Sequence, residues 1–347
     1  MVDPKANSSP TIKEVAKAAG VSTATVSRVM NGADGVSSKL EKKVHAAMEK
    51  LHYHPSTIAR SFKKQETRLI GVMLPLLDHP FYSRMATAIE KKLFTSNYRA
   101  IICNSEESEE REQAYIEMLL RQRVDGIIIN SAAKNTAYMQ ELQNLKIPYV
   151  LIDRILPEIE CDKVFCDNSN GGYLGMQHLI QLGHRHIAVV AAPTFTEPII
   201  RRIRGTREAL ADFGIQDDPN LLVTGDTQLF DMGYEAACHL LDMNPRPTAI
   251  FALTDVTAVG VMHAVAERGL KIPDDLSVLG YDDVPVASYT IPPLTTVAQP
   301  IVEMGEEAVD LLFRQIENPH LPNEKAVLQP HLVIRSSTAP PANRNHD

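Results

Sequence analysis

The sequence lacks the long apolar run of roughly 18 residues that a membrane-spanning helix needs. Its first ten residues, MVDPKANSSP, have no apolar core of the kind found in a secretory signal peptide. We therefore expect a cytoplasmic protein with no membrane contact. Catalytic signatures are missing too: there is no G-x-S-x-G, no P-loop, no H-E-x-x-H and no dinucleotide-binding glycine pattern. These absences argue against an enzyme and against a bound cofactor.

Cysteine is scarce and shows no spacing typical of a zinc site, such as C-x2-C. The four cysteines are Cys103, Cys161, Cys166 and Cys238. We interpret them as small buried hydrophobic residues or free thiols rather than as metal ligands or disulfide partners. A reducing cytoplasm agrees with this interpretation.

The charge of the chain is unevenly distributed. A length of 347 residues predicts two or three domains. Residues 1–66 contain eleven Lys and Arg against six Asp and Glu, a balance of +5, so the net charge of −8 leaves −13 for the remainder. A small basic head on a large acidic body is typical of a protein whose head binds a polyanion.

The head contains the signals of two short helices joined by a tight turn. Thr11 followed by Glu14 predicts a capping box at the start of the first helix. Gly20 then ends that helix, and Ser22 caps a second helix with the sequence TATVSRVMN. This order is that of a helix-turn-helix. The outward face of the second helix is short and polar, which favours close approach to base edges and phosphates over a merely solvated surface.

A third helix, KLEKKVHAAMEKLHY, supplies the apolar stripe that closes a small core. Pro55 ends it, and the segment HPSTIARSFKK that follows is too short to form a stable helix alone in water. We therefore expect this segment to fold only against DNA or a second subunit.

Two runs in the head, TIKEVAKAAGVSTATVSRVMN and LHYHPSTIARSFK, resemble the lac repressor family of bacterial transcription regulators, and within it the purine repressors. The resemblance continues at lower density to about Arg335. It implies a repressor that binds a pseudopalindromic double-stranded DNA operator as a homodimer, under the control of a small-molecule effector. It also implies a location at the nucleoid while the protein is bound to its operator.

The resemblance divides the N-terminal part into a helix-turn-helix domain over residues 10–55 and a hinge helix with linker over residues 56–66. Positions that match DNA-contacting positions of the family are Thr11, Ile12, Ser22, Thr23, Ala24, Thr25, Ser27, Arg28, Asn31, Tyr53, Ser56, Ala59, Arg60, Phe62 and Lys63. Phe62 stands where most members have the Leu that wedges open a central base step. Ala24 offers at most a contact to a thymine methyl group, so the operator sequence does not follow from the relatives.

Beyond residue 67, apolar strand-like runs alternate with helical segments, and the alternation restarts near residue 163. This pattern predicts parallel sheets covered by helices on both faces, arranged as two similar α/β lobes. By resemblance the lobes are of the periplasmic-binding-protein type. We predict lobe one at about residues 67–166 and 297–328, and lobe two at about residues 167–296 and 329–338. The segments 1–9 and 339–347 are expected to be disordered.

In such sheets, ligands bind beyond the carboxyl ends of the strands. The resemblance places the effector in the cleft between the lobes, and the matching positions are Phe81, Tyr82, Asp167, Thr196, Arg202, Thr227, Asp255 and Asp282. Arg202 with Gly205 fits the R-x-x-G pattern of the family, whose Arg holds an effector oxygen or carboxylate. Packing within a lobe is the alternative for Phe81 and Tyr82, and helix capping is the alternative for Asp255 and Asp282.

The class of effector stays open at this point between a sugar, a sugar acid and a nucleobase-like metabolite. Thr196 and Pro198 fall where purine repressors have polar contacts, and Thr227 falls where they have an aromatic residue. These differences count against a purine. A transport-type binding protein is a rival interpretation of the body, which the basic head does not favour.

Overall fold

The computed structural model describes residues 10–30, 36–53, 66–131, 137–156, 158–191, 196–226 and 229–342. Within it the chain divides into two compact units, Met1–Thr67 and Arg68–Asp347. None of the described helices is long and apolar enough to cross a membrane.

The described part of the first unit, the head, contains three helices: α1 (Ile12–Ala19), α2 (Thr23–Met30) and α3 (Ser38–Lys50). The predicted capping box is confirmed, since the Glu14 amide donates to Thr11 Oγ1 and the Thr11 amide donates to the Glu14 carboxylate at 2.6 Å. Gly20 ends α1 at a φ of 69°, in the left-handed region that glycine enters without strain. The Thr25 amide donates to Ser22 Oγ at 3.0 Å, which confirms the cap of α2.

The core of the head comes from one apolar stripe on each of the three helices. Its fully buried members are Val15, Ala16, Val26, Val29, Val44 and Ala47. Ser37 occupies the position before α3 but its side chain makes no capping bond. The head is therefore a closed three-helix unit in which α2 keeps one face outside the core.

The second unit contains two six-stranded sheets. The strands are β1 (Leu69–Leu74), β2 (Arg99–Asn104), β3 (Gly126–Ile129), β4 (Tyr149–Ile152), β5 (Asp162–Cys166), β6 (Ile187–Ala191), β7 (Leu222–Thr224), β8 (Ala249–Ala252), β9 (Ser277–Asp282), β10 (Thr295–Ala298), β11 (Lys325–Leu328) and β12 (His331–Val333). The helices are α4 (Pro80–Thr95), α5 (Glu109–Gln122), α6 (Ala137–Asn144), α7 (Asn168–Gln181), α8 (Glu197–Asp212), α9 (Phe230–Leu241), α10 (Asp255–Glu267) and α11 (Ile301–Glu317).

The two sheets have the same construction. The first has the order β11-β5-β4-β3-β1-β2 and the second β12-β10-β9-β8-β6-β7, with only the β10–β12 pair antiparallel. Helices α4 and α11 cover one face of the first sheet, and α5 and α6 cover the other. Helices α7 and α8 cover one face of the second sheet, and α9 and α10 the other. We call the first sheet with its helices lobe one and the second lobe two. The prediction of two similar α/β lobes is confirmed.

The chain crosses between the sheets three times: after β5, after β10 and between β11 and β12. The crossings after β5 and β11 are tied together, because the Asp167 amide donates to the Leu328 carbonyl at 2.9 Å. The Asn170 amide group also donates to Gln329 Oε1 at 3.1 Å. The exact limits of the two lobes along the chain stay a prediction.

Four helices of lobe two begin at Asn168, Glu197, Phe230 and Asp255, and three of them open on polar residues. The first turns of the helices at Asn168 and Asp255 begin within three residues of the ends of β5 and β8. These first turns are the parts of the helices closest to the strand ends, where the candidate site lies.

At the other end of lobe two, His184 is buried, with Nδ1 2.9 Å from Thr248 Oγ1 and Nε2 2.9 Å from the Ala339 carbonyl. The Ala339 amide donates to Ser277 Oγ at 3.0 Å. Ala339 belongs to the C-terminal segment for which disorder was expected, and it is nevertheless held by two side chains of lobe two, those of His184 and Ser277.

Candidate DNA-binding and effector-binding sites

The outward face of α2 consists of short polar side chains and one arginine. Ser22, Thr23, Ala24 and Arg28 are exposed, while the apolar side chains of α2 face the core. The Ser22 hydroxyl lies 2.9 Å from Thr25 Oγ1, so these two hydroxyls hold each other at the start of the helix. This face can approach a nucleic acid closely and present hydroxyls and one guanidinium to it.

The other described positions of the predicted DNA contact have partners within the head. Thr11 Oγ1 bonds to Glu14, and Ile12 and Tyr53 pack at the edge of the core. Ser27 is half-buried and also has a partner. The remaining predicted contacts lie outside the described residues: Asn31, Ser56, Ala59, Arg60, Phe62 and Lys63.

A small cavity of about 20 Å³ lies between the two lobes, within about 310 Å³ of empty space that is partly open to solvent. Its lining comes from loops and first turns beyond the carboxyl ends of strands in both sheets. Lobe one contributes His79, Phe81, Tyr82, Asp153 and Arg154, and lobe two contributes Thr196, Pro198, Ile199, Arg202 and Asp282. Five of the eight predicted effector positions therefore meet in one place: Phe81, Tyr82, Thr196, Arg202 and Asp282.

Arg202 is the polar centre of the lobe two side and is only 4% exposed. Its Nε donates to Asn168 Oδ1 at 2.8 Å, and its Nη1 donates to the Leu253 carbonyl at 2.6 Å. The same Nη1 lies 3.3 Å from Asp282 Oδ1, and the guanidinium stacks 3.7 Å above the ring of Tyr281. Such a network holds the guanidinium in one orientation at the wall of the cavity.

The R-x-x-G pattern has a packing reason. A Cβ atom at Gly205 would lie 1.9 Å from the Ser169 carbonyl oxygen, so only glycine allows α8 to approach α7 this closely. Gly172 on α7 is equally constrained, since its Cβ would lie 2.0 Å from the Arg202 carbonyl oxygen. The close crossing brings Arg202 within reach of Asn168 at the start of α7.

An aspartate with left-handed backbone geometry ends or follows a central strand of each sheet. Asp153 follows β4 with a φ of 65°, and Asp282 ends β9 with a φ of 108°. Non-glycine residues in this region store strain, which is common at functional sites. Burial raises the pKa of both carboxyls from the usual 3.8 to about 6, although Arg202 works in the opposite direction on each.

Three buried polar atoms of residues that line the cavity have no hydrogen-bond partner within the described parts of the chain. They are His79 Nε2, Asp153 Oδ1 and Arg154 Nε. Leaving such a buried atom unpaired costs about 1–3 kcal/mol. Native proteins tolerate this mainly where a ligand or an ordered water supplies the missing partner.

Phe81 and Tyr82 combine packing within lobe one with a place at the cavity wall, and their contact with an effector stays a prediction. They are 4% exposed, pack into the core between α4 and the first sheet, and line the cavity. Their rings meet edge to face at 83°, with centroids 5.1 Å apart.

Two of the predicted effector positions that the structure describes, Asp167 and Asp255, do not line the cavity. Asp167 caps α7, because its Oδ1 accepts from the Asn170 amide at 3.1 Å. Asp255 is fully buried, its Oδ2 accepting from the Val284 amide at 2.8 Å and its Oδ1 from Thr296 Oγ1 at 2.6 Å. Thr254, rather than Asp255, caps α10. Thr227 lies outside the described residues.

His79, Asp153 and Arg154 line the cavity but were not among the predicted positions. The sequence does contain a signal for Asp153. This residue directly follows the apolar run YVLI, just as Asp282 stands at the end of the apolar run LSVLGY. His79 had no comparable signal, because a histidine before a helix-starting proline reads as an ordinary cap.

Comparison with known proteins gives the class. Residues 11–56 match the bacterial regulatory proteins of the lacI family, and residues 176–338 match a periplasmic binding protein-like domain. The chain is 38% identical to the HTH-type transcriptional regulator DegA of Bacillus subtilis, over 95% of this chain and 98% of the relative. It is 37% identical to the ribose operon repressor of Escherichia coli over 94% and 99%, and 35% identical to the repressor PurR of Vibrio atlanticus over 94% and 98%.

Among solved structures, the lac repressor dimer bound to operator and the anti-inducer ONPF matches with a TM-score of 0.86 and 32% identity, over 96% of this chain and 100% of that chain. The head, the two lobes and the cleft therefore belong to a regulator that binds DNA. The chain is a member of the lacI family of bacterial regulatory proteins. The resemblance read from the helix-turn-helix sequence is confirmed.

Proposed function

We propose that this protein is a cytoplasmic transcriptional repressor, not an enzyme, that binds a pseudopalindromic operator as a homodimer. A two-fold protein matches two half-sites of two-fold DNA, and the exposed face of α2 is the surface that enters each half-site. The predicted hinge at residues 56–64 would fold against the operator and transmit the state of the lobes. A small molecule in the cleft controls the affinity for DNA.

The cavity between the lobes is the main support for the proposal that a ligand controls the affinity for DNA. It is lined by both lobes, so a molecule inside it interacts with both and favours the state in which they approach each other. A ligand shifts such an equilibrium only through its differential affinity for the two states. Unpaired polar atoms in the closed cavity provide that differential affinity.

We further propose that the ligand is a neutral molecule rich in hydroxyl groups, such as a sugar. The charged groups that line the cavity balance, with Asp153 and Asp282 opposite Arg154 and Arg202, so no net positive charge favours an acid. A hydroxyl can donate to Asp153 Oδ1 and accept from Arg154 Nε, which a carboxylate cannot do. The edge-to-face rings of Phe81 and Tyr82 offer no parallel slot for a flat base.

The test begins with selection of a duplex from a random pool by the full-length protein. Its affinity should fall steeply with salt, with a slope set by the number of phosphates that the protein neutralises. Replacing Thr23 and Arg28 together by Ala should weaken binding, whereas replacing the exposed Lys39 and Lys42 of α3 serves as the control. Equal losses in the two double variants would rule out α2 as the reading helix.

The ligand class is tested with D-ribose, D-gluconate and adenine, the first chosen because a relative is a ribose operon repressor. We expect ribose to raise the thermal unfolding temperature and to change the affinity for the selected duplex. A response to gluconate or adenine alone would contradict the proposed ligand class. Binding of ribose without any change in DNA affinity would contradict the proposed control.

A further inference from the structure

The two ring nitrogens of His79 have different environments. It occupies the position immediately before α4, and its Nδ1 accepts a hydrogen bond from the Phe81 amide at 3.3 Å. A backbone amide can only donate, so Nδ1 must be the unprotonated nitrogen of the ring. In a neutral ring the proton is then on Nε2.

The other ring nitrogen, Nε2, takes no part in the helix cap. His79 is 2% exposed and lines the cavity together with Tyr82, whose ring centroid lies 5.5 Å away. Nε2 is buried and has no partner among the residues that the structure describes. The ring is neutral because burial, followed by the positive charge of Arg202, lowers the pKa of His79 to about 4.

From this geometry we infer that His79 is a specificity-determining residue, whose Nε2–H donates a hydrogen bond to an acceptor oxygen of the bound molecule. The inference rests on the proposed function and deepens it. The helix cap fixes the tautomer, so this position recognises an acceptor and rejects a donor. An ether, ring or carbonyl oxygen fits here, as does a hydroxyl through its lone pair, while an amino group does not.

The same bond connects recognition to the position of the aromatic residues. The first turn of α4, which His79 caps, carries Phe81 and Tyr82 at the cavity wall. A change at His79 can therefore act by removing the donor or by disturbing the helix start. These two effects must be separated in any test.

His79→Asn separates them. Asn is a strong helix cap, and its side-chain oxygen replaces Nδ1 as the acceptor for the Phe81 amide, but its shorter side chain does not reach the place of Nε2. His79→Ala removes both functions. Ser83→Ala is the control on the same helix, because the exposed Ser83 hydroxyl donates to the Pro80 carbonyl and the residue does not line the cavity.

We expect H79N to keep the unfolding temperature of the wild type while binding D-ribose about 3- to 10-fold more weakly, the effect of one neutral hydrogen bond. H79A should lose both affinity and thermal stability, and S83A should lose neither. Unchanged ribose affinity in H79N, or an equal loss in S83A, would overturn the inference.

A second readout needs no ligand. In the full-length protein labelled with ¹⁵N at histidine, the His79 resonances, assigned by their loss in H79N, should show a protonated Nε2 and an unprotonated Nδ1. A proton on Nδ1 or a charged ring would overturn the inference, independently of the ribose affinities measured for the variants. If the wild type binds neither ribose nor the other two probes, the proposed ligand class fails, and the tautomer alone then decides whether His79 presents a donor.

Discussion

The two sides of the cleft differ in how their polar groups are satisfied. On lobe two, Arg202 is bonded to Asn168 and Leu253 and paired with Asp282, which also accepts from Gln299 Nε2 at 2.8 Å. On lobe one, His79, Asp153 and Arg154 each present an atom without a partner within the described chain. The polar groups of lobe two are therefore paired within the protein, whereas those of lobe one have atoms left to pair with a ligand.

This difference indicates how a ligand can drive closure. The groups named on lobe two already have partners within the protein, so a ligand gains mainly shape and fixed charge from them. Atoms on lobe one lose water when the cleft closes and regain a partner only from the ligand, at about 1–3 kcal/mol for each unpaired atom. A closed cleft without ligand is therefore penalised on the lobe one side.

The largest effect should come from replacing the two arginines of the cleft in parallel. Arg202→Met leaves Asp282 buried without its counter-charge and should lower the free energy of unfolding by about 3–5 kcal/mol. Arg154→Met removes a guanidinium whose Nε has no partner in the described structure and should cost much less. Urea unfolding of both variants, followed by circular dichroism without ligand, measures the two losses. Equal losses would show that the two sides do not differ in the way described.

An intermediate effect should appear in the pH dependence of stability. The folded chain keeps the Asp153 proton up to a pKa of about 6, whereas the unfolded chain releases it near the ordinary 3.8. Stability contributed by protonated Asp153 is therefore present at low pH and lost as pH rises through this window.

The Asp153→Asn variant has no such proton to release. Its free energy of unfolding, relative to that of the wild type, should therefore rise by about 1 kcal/mol between roughly pH 5 and pH 7. Comparing the two proteins removes the contributions of the buried histidines, which are common to both. Urea unfolding at several pH values checks the expectation, and parallel curves would refute it. Asp282→Asn should instead be destabilised throughout the range, since it deprives Arg202 of its partner.

The smallest effect concerns a bond that joins the lobes directly. Arg84 Nη1 on α4 donates to the Asp283 carbonyl at 3.0 Å, and both residues are partly exposed to water. Arg84→Ala should favour the open state of the cleft by no more than about 1 kcal/mol. Small-angle X-ray scattering should show a slightly larger radius of gyration without ligand.

The control for this variant is Lys92→Ala, which breaks the Lys92–Asp310 pair between α4 and α11 within lobe one. It should leave the radius of gyration unchanged. If both variants or neither expand the protein, the bond from Arg84 does not hold the lobes together.

The order of elements and much of the cleft were predictable from local patterns. The caps at Thr11 and Ser22 and the break at Gly20 are signalled within four residues, and the buried strands are signalled by their apolar runs. Arg202 and Asp282 were identified through the family motif and a strand end. Elements and positions at the cavity wall were predictable where the signal is short-range or carried by a shared motif, and the effector contacts themselves stay predictions.

The partners of those residues were not predictable, because they come from distant parts of the chain. Asp255 has the same strand-end signal as Asp282, yet its two oxygens are used by Val284 and Thr296. Whether an aspartate faces a ligand or its own chain depends on the turn at the end of the neighbouring strand. For the same reason, the unpaired Nε2 of His79 was not predictable from the sequence. It follows only from the helix cap and the cavity taken together.

The three crossings between the sheets also bear on how the protein is made. Strands β11 and β12 lie two residues apart in the sequence but complete different sheets. During synthesis, the first sheet has its full set of strands only after Leu328 has been made, and the second only after Val333. Both lobes therefore complete their sheets almost at the same time, and a premature stop before residue 325 would leave each sheet without its last strand.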